Sequence, residues 1–431
     1  MAAVESTPIN LKALETAIES SANVKDALRN YVFYDQNKEA FDVQPEEQKV
    51  SGPSPYAKVA TGPSVLSGYK PIKATGELDA KYKYSESTPE IGREYYDINL
   101  RDILTNKDLL KDLAVTISER GVVFFRDQNH LTVQEQKDLV NQLGLLGGKP
   151  ATSSLHIHPT TLAGGLLVGD KIDPTVSLIS SQLNAKLYKP ESFKSNYERI
   201  ISKPNVDTKW HSDITFEPVP ADYSSLRLVE TPSSIPSEEE LSRPGGGRVG
   251  GSGGDTLWAS GYALAERISP KLLSFLETLT GEFSQPLFIS ATGAKDIPLY
   301  SAERGAPENV GDALVAHHPV VRTNPVTGWK SVFAIGVHFR RFVELSESES
   351  NILKEYLLQV LLTTPEIQVR YKWREGDLAI WDNRSTYHSA IYDLFSHDGS
   401  VVTRTGIRTV GIGERPFLDP KSTLKYESYQ N

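Results

Sequence analysis

The chain has 431 residues, 39% of them hydrophobic, enough to bury a sizeable core as one large domain with insertions or as two ordinary ones. Its 55 acidic residues outweigh 46 basic ones for a net charge of -9, which argues against non-specific binding to nucleic acid or to an anionic membrane surface. No cysteine is present, so disulfides, thiolate zinc sites and iron–sulfur clusters are excluded, and any metal must be held by carboxylates and the nine histidines.

Met1-Ala2-Ala3-Val4-Glu5 lacks the basic residues and apolar core of a targeting signal, and no apolar run reaches membrane-spanning length. A soluble, cytoplasmic protein is expected. Leu11–Arg29 has a weak helical period, and from about Tyr34 to Tyr96 the chain is rich in Pro, Gly, Ser, Lys and Glu with little periodicity. Residues 1–95 are therefore read as an extended N-terminal arm, and 96–431 as the folded domain with an insertion at 231–254.

Leu104–Arg120 predicts a helix, and Gly121–Arg126 a strand of β-branched and aromatic residues. Thr132 and Glu135 form a capping box for a helix over Thr132–Leu143, with Gly144 as its stop. Leu155–Pro159 follows without helical period and carries His156 and His158 in alternation. Strand-like runs then recur at Ser225–Glu230, Asp255–Ala259, His318–Thr323, Ser331–Ile335, Ile367–Trp373, Asp377–Trp381 and Arg404–Ile412. Helical patterns intervene at Gly261–Gly281 and, behind a capping box of Ser346 and Glu349, at Glu347–Leu362. Many short strands with a few helices predict a β-barrel or double-sheet jelly roll flanked by helices. Ser237–Gly254, acidic and then glycine-rich, has the composition of a surface insertion. Within it Gly245–Gly250 satisfies the letters of a dinucleotide fingerprint, but Pro244 precedes it in place of a strand, so that reading is set aside.

Trp210-His211-Ser212-Asp213 is the stretch with the clearest chemistry. In an extended segment, residues i and i+2 point the same way, so His211 and Asp213 would aim a nitrogen and an oxygen at one point. Ile214-Thr215-Phe216 is expected to continue that extended segment in an apolar setting. His388, at the end of Trp381–His388, supplies a third ligand, and two histidines with one carboxylate form a facial triad that leaves coordination positions open. Farther on, Arg404, Gly406, Arg408 and Val410 share one face of a strand. The arginines lie about 13 Å apart at roughly 3.3 Å per residue, with no acidic neighbour in sequence; if their face is the barrel interior, two ligand anions are their expected partners, and the alternative is a solvated strand face. Thr256 opens a strand after Gly253-Gly254, where its hydroxyl could meet a ligand carboxylate; a threonine also suits a strand for its own sake.

These motifs resemble the taurine/2-oxoglutarate dioxygenase family, the Fe(II)-dependent oxygenases that include fungal sulfonate dioxygenases. The resemblance runs from about Gly121 to Phe417 and is carried by Val122–Asp127, Leu155–Pro159, Trp210–Phe216, Gly253–Trp258, His318–Thr323, Trp381–Arg384 with His388, and Arg404 to Phe417. It implies a mainly β fold with flanking helices, a cupin-like double-stranded β-helix. It assigns Fe(II) to His211, Asp213 and His388, and the distal carboxylate of 2-oxoglutarate to Arg404 with Thr256. It assigns the anionic head of a small organosulfur substrate to Arg408 with His158, and places Asp207 and His338 in the substrate pocket. Thr161, Asp207 and His338 stand where the taurine enzyme has a tyrosine, an asparagine and a phenylalanine, so the resemblance does not extend to taurine itself as the substrate. The reaction implied uses O2 to hydroxylate the carbon next to sulfur in a sulfonate, releasing sulfite, an aldehyde, succinate and CO2. A sulfate ester or another small anion is the alternative within the enzyme class, and a non-catalytic jelly-roll binding protein the alternative outside it. A homo-oligomer, dimer or higher, is expected, without nucleic-acid or membrane partners.

Overall fold

The computed structural model describes residues 69–160, 165–168, 171–181, 210–231, 254–286, 288, 299–391 and 403–430. The expected Leu11–Arg29 helix, Thr161, Asp207 and nearly all of the Ser237–Gly254 insertion lie outside these residues.

The scaffold is an eight-stranded sheet. Its order is Tyr84–Glu86, Arg93–Tyr95, Val122–Phe125, Leu378–Asp382, Ala221–Glu230, Thr405–Ile412, Lys171–Ser180 and Gly165–Val168. All pairs are antiparallel except Arg93–Tyr95 with Val122–Phe125, which is parallel. Residues before 96 thus already belong to the sheet, and Leu78, Ile91 and Tyr95 are buried in it or against it.

Val122–Phe125 is apolar throughout because it is buried on both faces. Val123 and Phe125 face outward with Leu378 and Ile380, against Leu109, Leu113 and Ile117 of the Lys107–Arg120 helix and Leu139 and Leu143 of the Val133–Leu146 helix. Val122 and Phe124 face inward with Ala379 and Trp381, and pack with Trp258, Val369, Tyr371 and Trp373. Those inward partners belong to or adjoin a second sheet of Gln368–Tyr371, Thr256–Ser260 and Thr386–Ala390. In a smaller sheet Thr280–Ser284 is the central strand between Phe339–Phe342 and Val315–Pro319, and in another Val321–Thr323 pairs with Lys330–Val332. The molecule is therefore a mainly β jelly roll flanked by helices.

Several element boundaries depart from the sequence pattern. The helix expected over Leu104–Arg120 starts at Lys107, because the Asn106 side chain accepts from the backbone of Asp108 and Leu109 and caps it there, and a short helix, Leu100–Leu104, precedes it. Gly261–Gly281 likewise divides at Ser269-Pro270 into Gly261–Arg267 and Pro270–Leu276, after which Thr280–Ser284 is a strand. The Thr132/Glu135 capping box is present, but the helix passes through Gly144 and ends at Gly147. Gly144 is needed for packing: a Cβ there would lie 2.3 Å from Asp222 Oδ2. Behind the Ser346/Glu349 capping box the last long helix runs over Glu347–Thr363. Among the described residues no helix is long and apolar enough to cross a membrane.

Candidate active site

His211 and His388 sit opposite one another in an isolated antiparallel bridge. Each donates its backbone N–H to the other's carbonyl, at 3.0 and 2.8 Å. Side chains of a directly opposed pair lie on one face, and here the two rings come within 4.1 Å of each other, centre to centre. His388 is placed by its strand, where it faces Trp258 of the neighbouring one. Asp213 completes the group: its Oδ1 is 3.8 Å from Nε2 of both histidines. Among the described residues, these three form the cluster of His and acidic side chains able to hold a metal, with all ligand atoms within 4.8 Å of one another.

The segment after Asp213 is a turn, not the extended continuation predicted. Ile214 takes φ 62°, a left-handed conformation that is strained for a β-branched residue. Contacts from distant parts of the chain hold it there. Ser212 Oγ donates to the Asn383 carbonyl (2.6 Å), and the Asp213 N–H donates to Asn383 Oδ1 (3.1 Å). Farther along, buried Glu217 accepts two bonds from Arg304, while Ile214 and Phe216 enter an apolar cluster with Val410 and Ile412.

Asn383 organises the carboxylate. It receives the Trp381 indole N–H (3.0 Å) and donates to the Asp222 carbonyl (3.1 Å) and to Ser224 Oγ (2.8 Å), and Ser224 in turn donates to Asp213 Oδ2 (2.8 Å). Ser224 and Asn383 are site residues that sequence reasoning missed. Asn383 lies inside the quoted Trp381–Arg384 run, where a polar residue directly after an apolar strand was a usable signal; Ser224 carried none. Arg384 and Asp382 form a fully buried ion pair beneath the same loop, also holding Ser118 and Asn324.

Charge matches metal binding. Burial works to raise the Asp213 pKa, but Arg408, His388 and His211 outweigh it and hold the carboxyl well below its ordinary value. Burial, reinforced by the neighbouring His211, pushes His388 down to about 3, so its imidazole is neutral with a lone pair to offer. A donor set of two imidazoles and one carboxylate fits a divalent iron that keeps open positions. Fully buried Trp381 packs against His388 at 5.0 Å, while the His211 side chain stays 26% exposed and gives the site its access.

Arg404 and Arg408 both turn toward the interior. Arg404 is 6% exposed, which excludes a solvated strand face, and its guanidinium lies 5.8 Å over the Trp373 ring. Trp373 also donates its indole N–H to Thr256 Oγ1 (3.0 Å), so Arg404 and Thr256 meet at one side chain that the sequence did not single out. Arg408 donates to the carboxylate of Asp213, 195 residues away in sequence, a partner that the sequence did not point to. His158 is near it, with its pKa held well below 6.5 by burial and by the charge of Arg408. The Nδ1 of His158 takes up Thr160, and its ring lies 4.9 Å from that of Phe288. His338 stands edge-on to His211 at 5.8 Å and bonds Thr215 Oγ1 (3.0 Å). Gly336 makes this approach possible, for at φ 107° a Cβ would fall 2.3 Å from the Trp210 carbonyl.

Residues 83–405 match the family described as taurine catabolism dioxygenase TauD, TfdA. The alpha-ketoglutarate-dependent dioxygenase btcD of Neocamarosporium betae is 41% identical over 83% of this chain and 98% of its own length. An alpha-ketoglutarate-dependent sulfonate dioxygenase of Saccharomyces cerevisiae is 29% identical over 80% of this chain and 70% of its own. A crystal structure of a taurine dioxygenase from Burkholderia xenovorans superimposes with a TM-score of 0.52 and 25% identity, covering 79% of this chain and 92% of that one.

Proposed function

We propose that this chain, which belongs to the taurine catabolism dioxygenase TauD, TfdA family, hydroxylates the carbon next to sulfur in a small organosulfonate. The chain is a 2-oxoglutarate-dependent non-haem dioxygenase, and His211, Asp213 and His388 are the residues that would hold its Fe(II). The bound iron supplies activation of O2. The products of this reading are sulfite, an aldehyde, succinate and CO2, because a carbon bearing both hydroxyl and sulfonate collapses with loss of sulfite.

The observation that carries the reading is the guanidinium of Arg408, with His158 beside it, next to the three metal-competent side chains. A cation at that place attracts and orients an anionic head group so that the adjacent carbon meets the reacting oxygen. His338 lines the same space, and Asp207 is assigned to the pocket from the resemblance alone. Arg404 and Thr256 would take the distal carboxylate of 2-oxoglutarate. The yeast relative named as a sulfonate dioxygenase supports the choice of sulfonate. A guanidinium reads charge and does not by itself separate a sulfonate from a sulfate ester or a carboxylate, so a sulfate ester is the second reading. We place the enzyme in the cytoplasm as a homo-oligomer.

The test is a panel of alkanesulfonates and alkyl sulfates given to the full chain with Fe(II), 2-oxoglutarate and O2. Succinate with stoichiometric sulfite supports the sulfonate, and succinate with sulfate supports the ester. Succinate formation that no sulfur compound accelerates would remove both.

A further inference from the structure

We propose that Trp373 is a positioning residue that fixes the hydrogen-bond polarity of the keto-acid site, an inference resting on the assignment of Arg404 and Thr256 to 2-oxoglutarate. The Trp373 indole N–H donates to Thr256 Oγ1 at 3.0 Å, and both residues are buried. An indole has one donor and no acceptor, whereas a hydroxyl has one hydrogen and two lone pairs. Thr256 must therefore accept from Trp373, and its own hydrogen points elsewhere. Among the described residues no acceptor takes that hydrogen. A ligand carboxylate, which only accepts, is the group that suits it.

The same indole serves Arg404 with its face, since the guanidinium lies 5.8 Å from the ring centre, within reach of a cation–π contact. One side chain thus sets a hydroxyl donor with its edge and supports a guanidinium with its face, which brings the two groups assigned to the ligand carboxylate to one indole. The indole cannot turn away from this duty. Tyr371 packs against it perpendicularly at 5.2 Å and Trp258 lies at 6.1 Å. Tyr371 is paired with Thr256 across two strands, so Trp373, two residues beyond the strand end, folds back over the hydroxyl.

The experiment is a calorimetric titration of 2-oxoglutarate into the Mn2+-loaded full-length protein without O2. Trp373→Phe keeps an aromatic face and loses the N–H, and should weaken 2-oxoglutarate binding about tenfold, the effect of one hydrogen bond to a charged ligand's partner. Thr256→Val should weaken it by a similar factor, Thr256→Ser should not, and the Thr256→Val/Trp373→Phe double variant should bind no worse than Thr256→Val alone. Trp373→Leu, which also removes the face under Arg404, should bind more weakly than Trp373→Phe. Unchanged affinity in Trp373→Phe, or factors that multiply in the double variant, would overturn the inference while leaving the keto-acid assignment standing. Failure of the unchanged chain to bind 2-oxoglutarate would overturn both. A readout that leaves Trp373 intact is the indole 15N–1H spectrum, with a resonance for each of the five tryptophans. The resonance shifted by Thr256→Val must be one that also responds to 2-oxoglutarate, and the absence of a shared resonance counts against the proposal.

Discussion

Arg408 Nη1 donates to Asp213 Oδ1 at 3.0 Å, and that oxygen is also the one 3.8 Å from each histidine Nε2. One carboxylate oxygen therefore stands between a guanidinium and the point where the imidazoles converge. A divalent cation and Arg408 draw on the same negative charge. Arg408→Ala is expected to raise KM for the sulfonate and, with no substrate present, to tighten Mn2+ binding by roughly tenfold, as when a competing unit charge is removed a few ångströms away. Calorimetry with Mn2+ alone checks the second effect, and an unchanged metal affinity would show that Arg408 acts on substrate only.

His211→Ala, Asp213→Ala and His388→Ala should each abolish turnover and lower metal affinity, since each removes one of three protein ligands. Asp213→Glu should fail as well, because Ser224 and the Asn383 loop hold the shorter carboxylate in place. Succinate release and metal content per chain are the measurements; full activity in any of the four would refute the triad.

Ser224→Ala leaves all three ligands in place but removes the donor on Asp213 Oδ2. Loss of such an outer partner costs about 10–100-fold in metal affinity. Asn383→Leu, which removes the bonds to both Asp213 and Ser224, should cost at least as much. Competition of each variant for Mn2+ against a chelator gives the ratios, and a Ser224→Ala protein with unchanged affinity would show that the histidines alone set the site.

Asp382 is fully buried on Arg384, with bonds of 2.7 and 2.8 Å. Burial raises its pKa, but Arg384 and the bonds from Arg384, Asn324 and Ser118 bring the balance below the ordinary value. The folded state thus holds this carboxyl ionised at a pH where the unfolded chain protonates it. Its contribution to stability is complete above a pH of about 4 and is lost as pH falls further. Asp382→Asn strands the arginine and should cost about 3–5 kcal/mol at neutral pH. Part of the acid sensitivity should vanish with it, which denaturant unfolding at several pH values would record.

Gly144→Ala ought to favour a helix by about 1 kcal/mol on propensity alone. Here the sign should reverse. The new Cβ would sit 2.3 Å from Asp222 Oδ2, and Asp222 is held from the other side by Gly411, whose Cβ position is 2.3 Å from Oδ1. We expect destabilisation of about 1–3 kcal/mol, as for other overpacked cores. A thermal midpoint at or above that of the unchanged chain would contradict it.

Much of this molecule was legible before any coordinates. The β-branched and aromatic run Val122–Phe125, the capping boxes at Thr132 and Ser346, and the His-x-Asp spacing are local patterns, and local sterics and hydrogen bonding decide them wherever the segment ends up. That Arg404 and Arg408 share one face followed in the same way from the period of a strand, while burial alone showed that this face is the interior. Tertiary structure alone decided what those side chains meet. Asp213 receives its partners from Ser224, Asn383 and Arg408, up to 195 residues distant, and Thr256 receives its own from Trp373, 117 residues on. It also overruled local preference where the two conflicted: Gly144 stays helical because Asp222 needs the space, and Ile214 accepts a left-handed turn because Asn383 holds the residues before it. Periodicity states which face a residue occupies. The identity of the atoms across that face depends on which strands become neighbours, and that choice is made by burial summed over the whole sheet.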